Sequence, residues 1–406
     1  MAPELKNEQK ILEAEEEIKS RILVRPEDDD KPIPIIRSYG RSSITLGEYV
    51  TLNLRHVKEI ENLKDVIVHY WQDKGLTRPL NIIMIAKPGS GKSYFIKHLA
   101  KTITSEQKGK GSEILVISVS YNMATRQTTE DLVQPLTTVR NIKVDDCHPL
   151  LFLDEFDSEE SNFPLLLPLL WDGKIQIAHR ELKLGKVVIA MAGSDPRIKK
   201  VMDEAKSMQW ESVTEETIFD RILNFFKKSD PKKLPDLLSR INTSVIEIPP
   251  LDERQIDKVC LALSLLDKRF KKAIECVPWA LLHFIAVSNF QYEARSIEHF
   301  INLIPWPEEE TAIRCGDLKH LPLSTDDNLT KSSLIYHLST DEKYKTAKEI
   351  VDFWNSLLTC GRLVQFRDLK IGLEEPEGVV EYDQPEKAEE EAKEVIPITE
   401  RDEVVD

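Results

Sequence analysis

The sequence predicts an α/β fold: a parallel sheet flanked by helices, then a small helical lid and a mainly helical C-terminal appendage. Three observations carry this. An apolar run, Leu80-Asn81-Ile82-Ile83-Met84-Ile85, leads into the glycine-rich Ala86-Lys87-Pro88-Gly89-Ser90-Gly91-Lys92-Ser93 and then a helical pattern through Tyr94, Phe95, Ile96, His98 and Leu99. A second run, Pro149-Leu150-Leu151-Phe152-Leu153, ends abruptly in Asp154-Glu155-Phe156-Asp157. A third, Val187-Val188-Ile189-Ala190-Met191-Ala192, leads to Gly193-Ser194-Asp195. Short continuous apolar runs of this kind suit strands buried on both faces, as in a parallel sheet.

The glycine-rich segment has the chemistry of a phosphate-binding loop. Gly89 and Gly91, with Pro88 and Ser90 between strand and helix, allow backbone conformations in which successive N–H groups turn toward phosphate oxygens. The positive end of the following helix adds to this attraction. In the GxxxxGK[ST] pattern Lys92 reaches the β- and γ-phosphates and the Ser93 hydroxyl ligates Mg²⁺. Ala86 stands where the pattern has its first glycine, while the terminal GKS is intact. Tyr94 follows directly and joins the candidate nucleotide contacts.

Acids at the carboxyl end of a buried parallel strand lie where open α/β sheets bind ligands. Asp154 is therefore the candidate magnesium-side carboxylate. Glu155 is the candidate base that polarises an attacking water.

With these motifs in place the chain resembles the AAA+ ATPases over roughly residues 50 to 305, and the resemblance implies ATP and Mg²⁺ as ligands and ATP hydrolysis as the activity. It also implies further roles. Ser194 stands at the sensor-1 position, with Asp195 as the alternative. Leu234-Pro235-Asp236-Leu237-Leu238-Ser239-Arg240-Ile241 looks like the segment with the arginine finger, followed by the strand Ser244 to Ile248. Arg240 would reach a neighbouring subunit's nucleotide, with Arg221 as its competitor, and that role implies a homo-oligomeric ring or filament. Tyr292-Glu293-Ala294-Arg295-Ser296 resembles a sensor-2 motif. At about 100° per residue Arg295 falls opposite the apolar stripe Ile297, Phe300, Ile301 and Ile304, free to reach nucleotide. The segments around Glu130 to Arg140, PLLFLDEFDS, Leu170 to Lys174 and KVVIAMAGS look like a bacterial AAA+ subgroup with a DEFD Walker B, which implies a stress or phage-defence setting.

Composition is consistent with this. No stretch reaches the roughly 20 apolar residues of a membrane span, and the polar start MAPELKNEQK is unlike a signal peptide, so a cytoplasmic protein without a membrane partner is expected. The five cysteines, Cys147, Cys260, Cys276, Cys315 and Cys360, form no CxxC pair and are expected to be reduced and mostly buried. Net charge is −15, but residues 374–406 hold fourteen acids against three bases. The acidity is therefore largely a tail effect. Residues 373–406 are expected to be a disordered acidic tail, either solvating or carrying an interaction peptide at Val395-Ile396-Pro397-Ile398.

The remaining elements follow in order. Residues 1–41 read as a charged helical or disordered arm, mobile or used in oligomer contact, with Ile11, Ile18 and Leu23 as its few apolar contacts. The core spans 42–250, opening with short β structure at Ile44 to Val50 and a helix with Val57, Ile60, Leu63, Val66, Ile67 and Tyr70 on one face. The lid spans 251–306. Asp252 is placed to cap its first helix, with Gln255 in the reciprocal position. The region 307–372 reads as a polar connection, helices over Ser332 to Leu338 and Thr346 to Leu358, and a strand Gly361 to Phe366. A winged helix and a helical cap both fit it.

Three functions are compatible with these motifs. The first is a motor that remodels or assembles a protein partner. Processive threading is not supported, because the place after the second strand, Val119 to Thr125, offers only Tyr121 and no following glycine. The second is a nucleic-acid-dependent ATPase of the initiator or clamp-loader kind, resting on Lys199-Lys200, Lys227-Lys228 and Lys232-Lys233. The third is a slow nucleotide switch in a signalling complex.

Overall fold

The computed structural model describes residues 3–27, 31–36, 46–47, 49–144, 147–159, 161–177, 180–194, 245–271, 273–307, 311–319, 321, 338 and 346–367. In chain order the elements begin with α1 (Pro3–Ile18), a π-helical turn (Lys19–Leu23), β1 (Ile33–Ile36) and α2 (Leu54–Gln72). The sheet region follows: β2 (Leu80–Ile85), α3 (Lys92–Gly109), β3 (Val116–Asn122), α4 (Val133–Val144), β4 (His148–Asp154), α5 (Asn162–Asp172), a hairpin of β5 (Lys174–Ile177) and β6 (Arg180–Lys183), β7 (Val188–Gly193) and β8 (Val245–Glu247). The last part holds α6 (Gln255–Arg269), β9 (Cys276–Pro278), α7 (Trp279–Val287), α8 (Glu293–Leu303), the short α9 (Cys315–Leu318), α10 (Ala347–Leu358) and β10 (Leu363–Arg367).

Five strands form one sheet in the order β3-β4-β7-β2-β8, and every neighbouring pair is parallel. Alternate residues of these strands fill two separate apolar layers. Ile82, Met84, Phe152, Val188 and Ala190 pack with Ile60, Ile67, Phe95 and Leu99 of α2 and α3. On the other face Ile83, Leu151, Leu153, Ile189 and Met191 pack with Leu136, Val139, Phe163, Leu166 and Leu169 of α4 and α5. Burial on both faces is what the uninterrupted apolar runs require. The expected α/β architecture, a parallel-sheet core with a glycine-rich loop after β2 and helices beyond it, is the one observed.

Parallel pairing sends all five carboxyl ends to one edge. Asp154 stands opposite Asn122 and Ala192, and Ile85 opposite Gly193 and Glu247. That edge carries the phosphate loop, the acidic turn and the Gly193-Ser194 end together.

The lid is larger than the sequence suggested. One apolar core joins Ile11, Ile18 and Ile22 of the N-terminal segment, Ile35 of β1, Leu263 and Phe284 of α6 and α7, Phe300 of α8, Trp354 of α10 and Val364 of β10. The helix expected to be a mobile arm or oligomer contact is thus docked. Burying an isoleucine is worth roughly 1.5–3 kcal/mol, so three of them outweigh the charged residues' preference for water. The GRLVQF segment forms β10, which pairs parallel with β1 and antiparallel with β9. N-terminal and C-terminal segments therefore complete the lid jointly.

Other expectations need adjustment. Asp252 does not cap α6; it lies in a 3₁₀ turn, Leu251–Glu253, and Arg254 occupies the cap position. Val119 to Asn122 belong to β3 rather than to the loop after it, so Tyr121 is a strand residue. The β5–β6 hairpin was not anticipated, although Ile175 and Ile177 alternate with exposed Gln176 as a half-buried strand should. All five cysteines are free thiols, but only Cys260 is buried and the other four are half-buried. The short β structure at Ile44 to Val50 is described only as a Leu46–Tyr49 bridge. The acidic tail, most of the 307–345 connection and the lysine pairs at 199–200, 227–228 and 232–233 lie outside the described residues.

Candidate functional site

The phosphate loop leaves β2 at Ala86, whose N–H donates to the Gly193 carbonyl at 3.3 Å and ties the loop to the neighbouring strand. Ser90 N–H closes back on the Lys87 carbonyl at 3.2 Å, and the Gly91 carbonyl accepts the first bond of α3 from Phe95 N–H at 2.8 Å. Gly89 and Gly91 have φ of 82° and 87°, values that side chains rarely adopt. Pro88 is exposed. The Ser90 hydroxyl is buried without a hydrogen-bond partner.

Lys92 is only 7% exposed, and its ammonium stands 3.6 Å from Asp154 Oδ1. The Ser93 hydroxyl donates to Asp154 Oδ2 at 3.3 Å. Two successive residues therefore meet one carboxylate, which lies 61 positions beyond Ser93. A helix N-terminus, a buried ammonium and a hydroxyl–carboxylate pair suit a polyphosphate with a hard divalent cation, because such a cation takes oxygen ligands and the ammonium takes phosphate charge. Ser93 and Asp154 are the residues that could hold such a cation.

Glu155 adopts φ 51°, a left-handed conformation unusual for a residue with a side chain. Its own N–H donates to Asp154 Oδ1 at 3.0 Å. Strain of this kind costs about 1–3 kcal/mol and persists only where neighbours fix it. Here the neighbours are explicit. Phe156 N–H donates to the Ala192 carbonyl at 3.2 Å, and Asp157 Oδ2 accepts from Ser194 N–H at 2.8 Å. Gly193 leaves room for this contact: a Cβ there would stand 2.7 Å from Asp157 Oδ2 and 2.9 Å from the Phe156 ring, so one of them would have to shift. From below, buried Asn162 donates to the Phe156 carbonyl at 3.2 Å while accepting from Arg126 Nε at 3.0 Å.

The lid meets the same loop. Lys87 lies 3.5 Å from both Asp252 Oδ2 and Glu293 Oε1. Burial raises the Glu293 carboxyl above its ordinary value; the Leu251 N–H that donates to it lowers it, Asp252 adds to the rise, and Lys87 opposes it. Arg295 is exposed on the first turn of α8, with its backbone N–H donating to the Tyr292 carbonyl at 3.1 Å. The partly exposed Tyr94 ring lies 4.3 Å from that of His98. A cleft of about 520 Å³ opens between the N-terminal helix and the lid, lined among others by Glu15, Lys19, Leu52, Asn53, Asp252 and Ile256. It shares Asp252 with the Lys87 contact.

The structure thus brings Lys92, Ser93, Asp154 and Glu155 to one edge, with Ser194 beside them. Arg240, Arg221 and Asp195 lie outside the described residues. Sequence reasoning gave Lys87, Asp157 and Glu293 no role, and Asp252 only a capping one. Lys87 stood in the quoted loop, Asp157 closed DEFD and Glu293 lay in Tyr292-Glu293-Ala294-Arg295-Ser296, but only tertiary contacts give them partners.

No family model matches the chain, and no curated protein matches it. Among solved structures, the chain is similar to NtrX from Brucella abortus in complex with ATP, at 14% identity and a TM-score of 0.41, covering 67% of this chain and 56% of that one. It is also similar to the S. cerevisiae Hsp104-ADP complex, at 13% identity and TM-score 0.40, covering 72% of this chain and 46% of that one. A third is the Aeropyrum pernix ORC2 protein in ADPNP-ADP complexes, at 13% and 0.41, covering 76% and 67%. The chain spans little more than half the length of the ATP-bound NtrX chain. Among the described residues no helix is long and apolar enough to cross a membrane.

Proposed function

We propose that this chain is an ATPase of the AAA+ kind, which binds ATP with Mg²⁺ at the Gly89–Ser93 loop and hydrolyses it to drive remodelling or assembly of a protein partner. The observation that carries the reading is the meeting of Lys92 and Ser93 on Asp154 at 3.6 and 3.3 Å. Backbone N–H groups of residues 89–93 hold the phosphates, and Lys92 neutralises charge on the β–γ side. Magnesium, when bound, supplies further neutralisation of the developing phosphate charge. Glu155 orients a water toward the γ-phosphorus and takes its proton as the new P–O bond forms and the bond to the ADP oxygen breaks. The cleft beside Asn53 and Ile256, which shares Asp252 with the loop contact, is the proposed place for the adenine ring of ATP.

Ser194 and Arg295 are proposed to contact the γ-phosphate side, and Arg240 to act from a neighbouring protomer in a homo-oligomer, on the strength of the family resemblance. Arg240→Ala should bind ATP without turnover, and mixing it with Lys92→Ala should restore activity at shared interfaces. The decisive experiment is ATP titration and phosphate release by the unaltered chain beside Glu155→Gln. Glu155→Gln should bind ATP with hydrolysis reduced about 10²–10⁴-fold. Absence of ATP binding by the unaltered chain, with or without magnesium, would refute the proposal.

A further inference from the structure

Glu293 places a carboxylate in a costly position. The residue is 1% exposed and has φ 50°, a backbone conformation that side-chain-bearing residues seldom adopt. Its Oε2 accepts from Leu251 N–H at 2.6 Å, while Oε1 is buried without a hydrogen bond and faces the Lys87 ammonium at 3.5 Å. Asp252 turns its Oδ2 to the same ammonium at 3.5 Å, and its Oδ1 accepts from Phe290 N–H at 3.3 Å. Two lid carboxylates thus share one cation, and that cation belongs to the phosphate loop.

The backbones meet at the same seam. A Cβ on Gly89 would stand 2.9 Å from the Tyr292 carbonyl carbon, so the loop lies directly against the residue before Glu293. The Tyr292 carbonyl in turn accepts from Arg295 N–H. Loop, Glu293 and the first turn of α8 therefore form one contact surface.

A buried carboxylate is tolerated only when paired. Phosphates arriving on the loop would bring further negative charge to a seam that already holds two acids. Lys92 faces Asp154 and not the lid acids, so Lys87 is the loop cation that both lid acids and phosphates can use. Resting on the nucleotide-binding reading above, we propose that Lys87 is an exchangeable counterion: it holds Asp252 and Glu293, and with them the lid helix α8, against the loop, and bound phosphates compete for it. Glu293 is thereby a positioning residue for Arg295. Coupling between two such equilibria is reciprocal, so the lid contact weakens nucleotide binding by the same factor as nucleotide weakens the lid contact.

Hydrogen exchange at the Leu251 and Phe290 amides, which donate to the two acids, reads the seam without nucleotide. Lys87→Met should raise their exchange about tenfold, Lys87→Arg should restore it, and Lys87→Met with Glu293→Gln should recover most of the lost protection, because the buried charge is then gone. Glu293→Gln alone keeps an oxygen for Leu251 and should tighten ATP binding about tenfold. Unchanged exchange in Lys87→Met, a double variant as unprotected as the single one, or an unaltered ATP affinity in Glu293→Gln would each overturn the proposal. The exchange arms use nucleotide-free protein, so they judge the seam even if the chain binds no ATP; that failure would instead fall on the proposed function.

Discussion

Asp154 and Glu293 each turn a carboxylate toward a lysine of the same loop, yet their settings differ. Asp154 ends a central strand, is half-buried, and has a hydroxyl, an ammonium and a backbone N–H on its oxygens. Glu293 begins a lid helix in a strained conformation and is buried, with one oxygen satisfied only by a shared cation. The first is a carboxylate with both oxygens partnered at the end of a sheet strand; the second is a charge held at cost at the start of a lid helix. A site that must keep its geometry through a reaction suits the sheet. A contact that must give way suits the lid.

The largest expected effect tests the sheet half. Lys92→Ala leaves Asp154 without its ammonium and removes the main phosphate cation, so nucleotide binding should weaken by about 3 kcal/mol or more, over a hundredfold. Titration with a fluorescent ATP analogue measures it, and binding within a factor of three of the unaltered chain would contradict the role.

Next comes the seam. Gly89→Ala drives a Cβ into the Tyr292 carbonyl at a φ that alanine resists, whereas a Cβ at Gly91 meets open space at a similar φ. Thermal unfolding should show Gly89→Ala the less stable of the two, by about 1–3 kcal/mol. Equal melting temperatures would mean that the loop and α8 do not touch as described.

A smaller effect separates charge from hydrogen bonding at the acidic turn. Asp157→Asn can still accept from Ser194 N–H, while Asp157→Ala cannot. Loss of a single hydrogen bond at this exposed amide costs about 1 kcal/mol. Asp157→Ala should lower turnover with ATP affinity retained, and Asp157→Asn should stay near the unaltered chain. Equal defects would point to the charge.

The smallest effect is in pH dependence. Burial raises the Glu293 carboxyl above its reference value of 4.5, so the folded chain holds a proton that the unfolded chain has released. The associated stability is complete below the unfolded value and is lost as pH rises through the raised one. Unfolding curves should therefore show Glu293→Gln gaining on the unaltered chain as pH climbs from about 4 toward neutrality. A constant difference would argue against a buried, titrating carboxylate.

The strands and the loop were legible because their signals are local. Three apolar runs announce strands buried on both faces, and GKS after a strand or DE at a strand's end needs no distant residue for its meaning. The helical spacing of Val57, Ile60, Leu63 and Ile67 likewise gave α2 its buried face. The lid's true extent was not legible, because Ile11, Ile18 and Ile22 look sparse on a charged helix until Phe284 and the other lid residues stand opposite them. The capping role read for Asp252 failed for a related reason. A cap is a local inference, and the residue's ammonium partner lies 165 positions earlier.

By itself the sequence determined the parallel sheet, the phosphate loop and the acids that follow β4, since strand burial and loop geometry depend on neighbours a few residues away. Only the tertiary structure decided that N- and C-terminal segments complete the lid, that Asp157 fixes the end of β7, and that Lys87 serves two lid acids. Those outcomes depend on which distant groups share a low-dielectric space, and burial and charge pairing carry no periodicity along the chain.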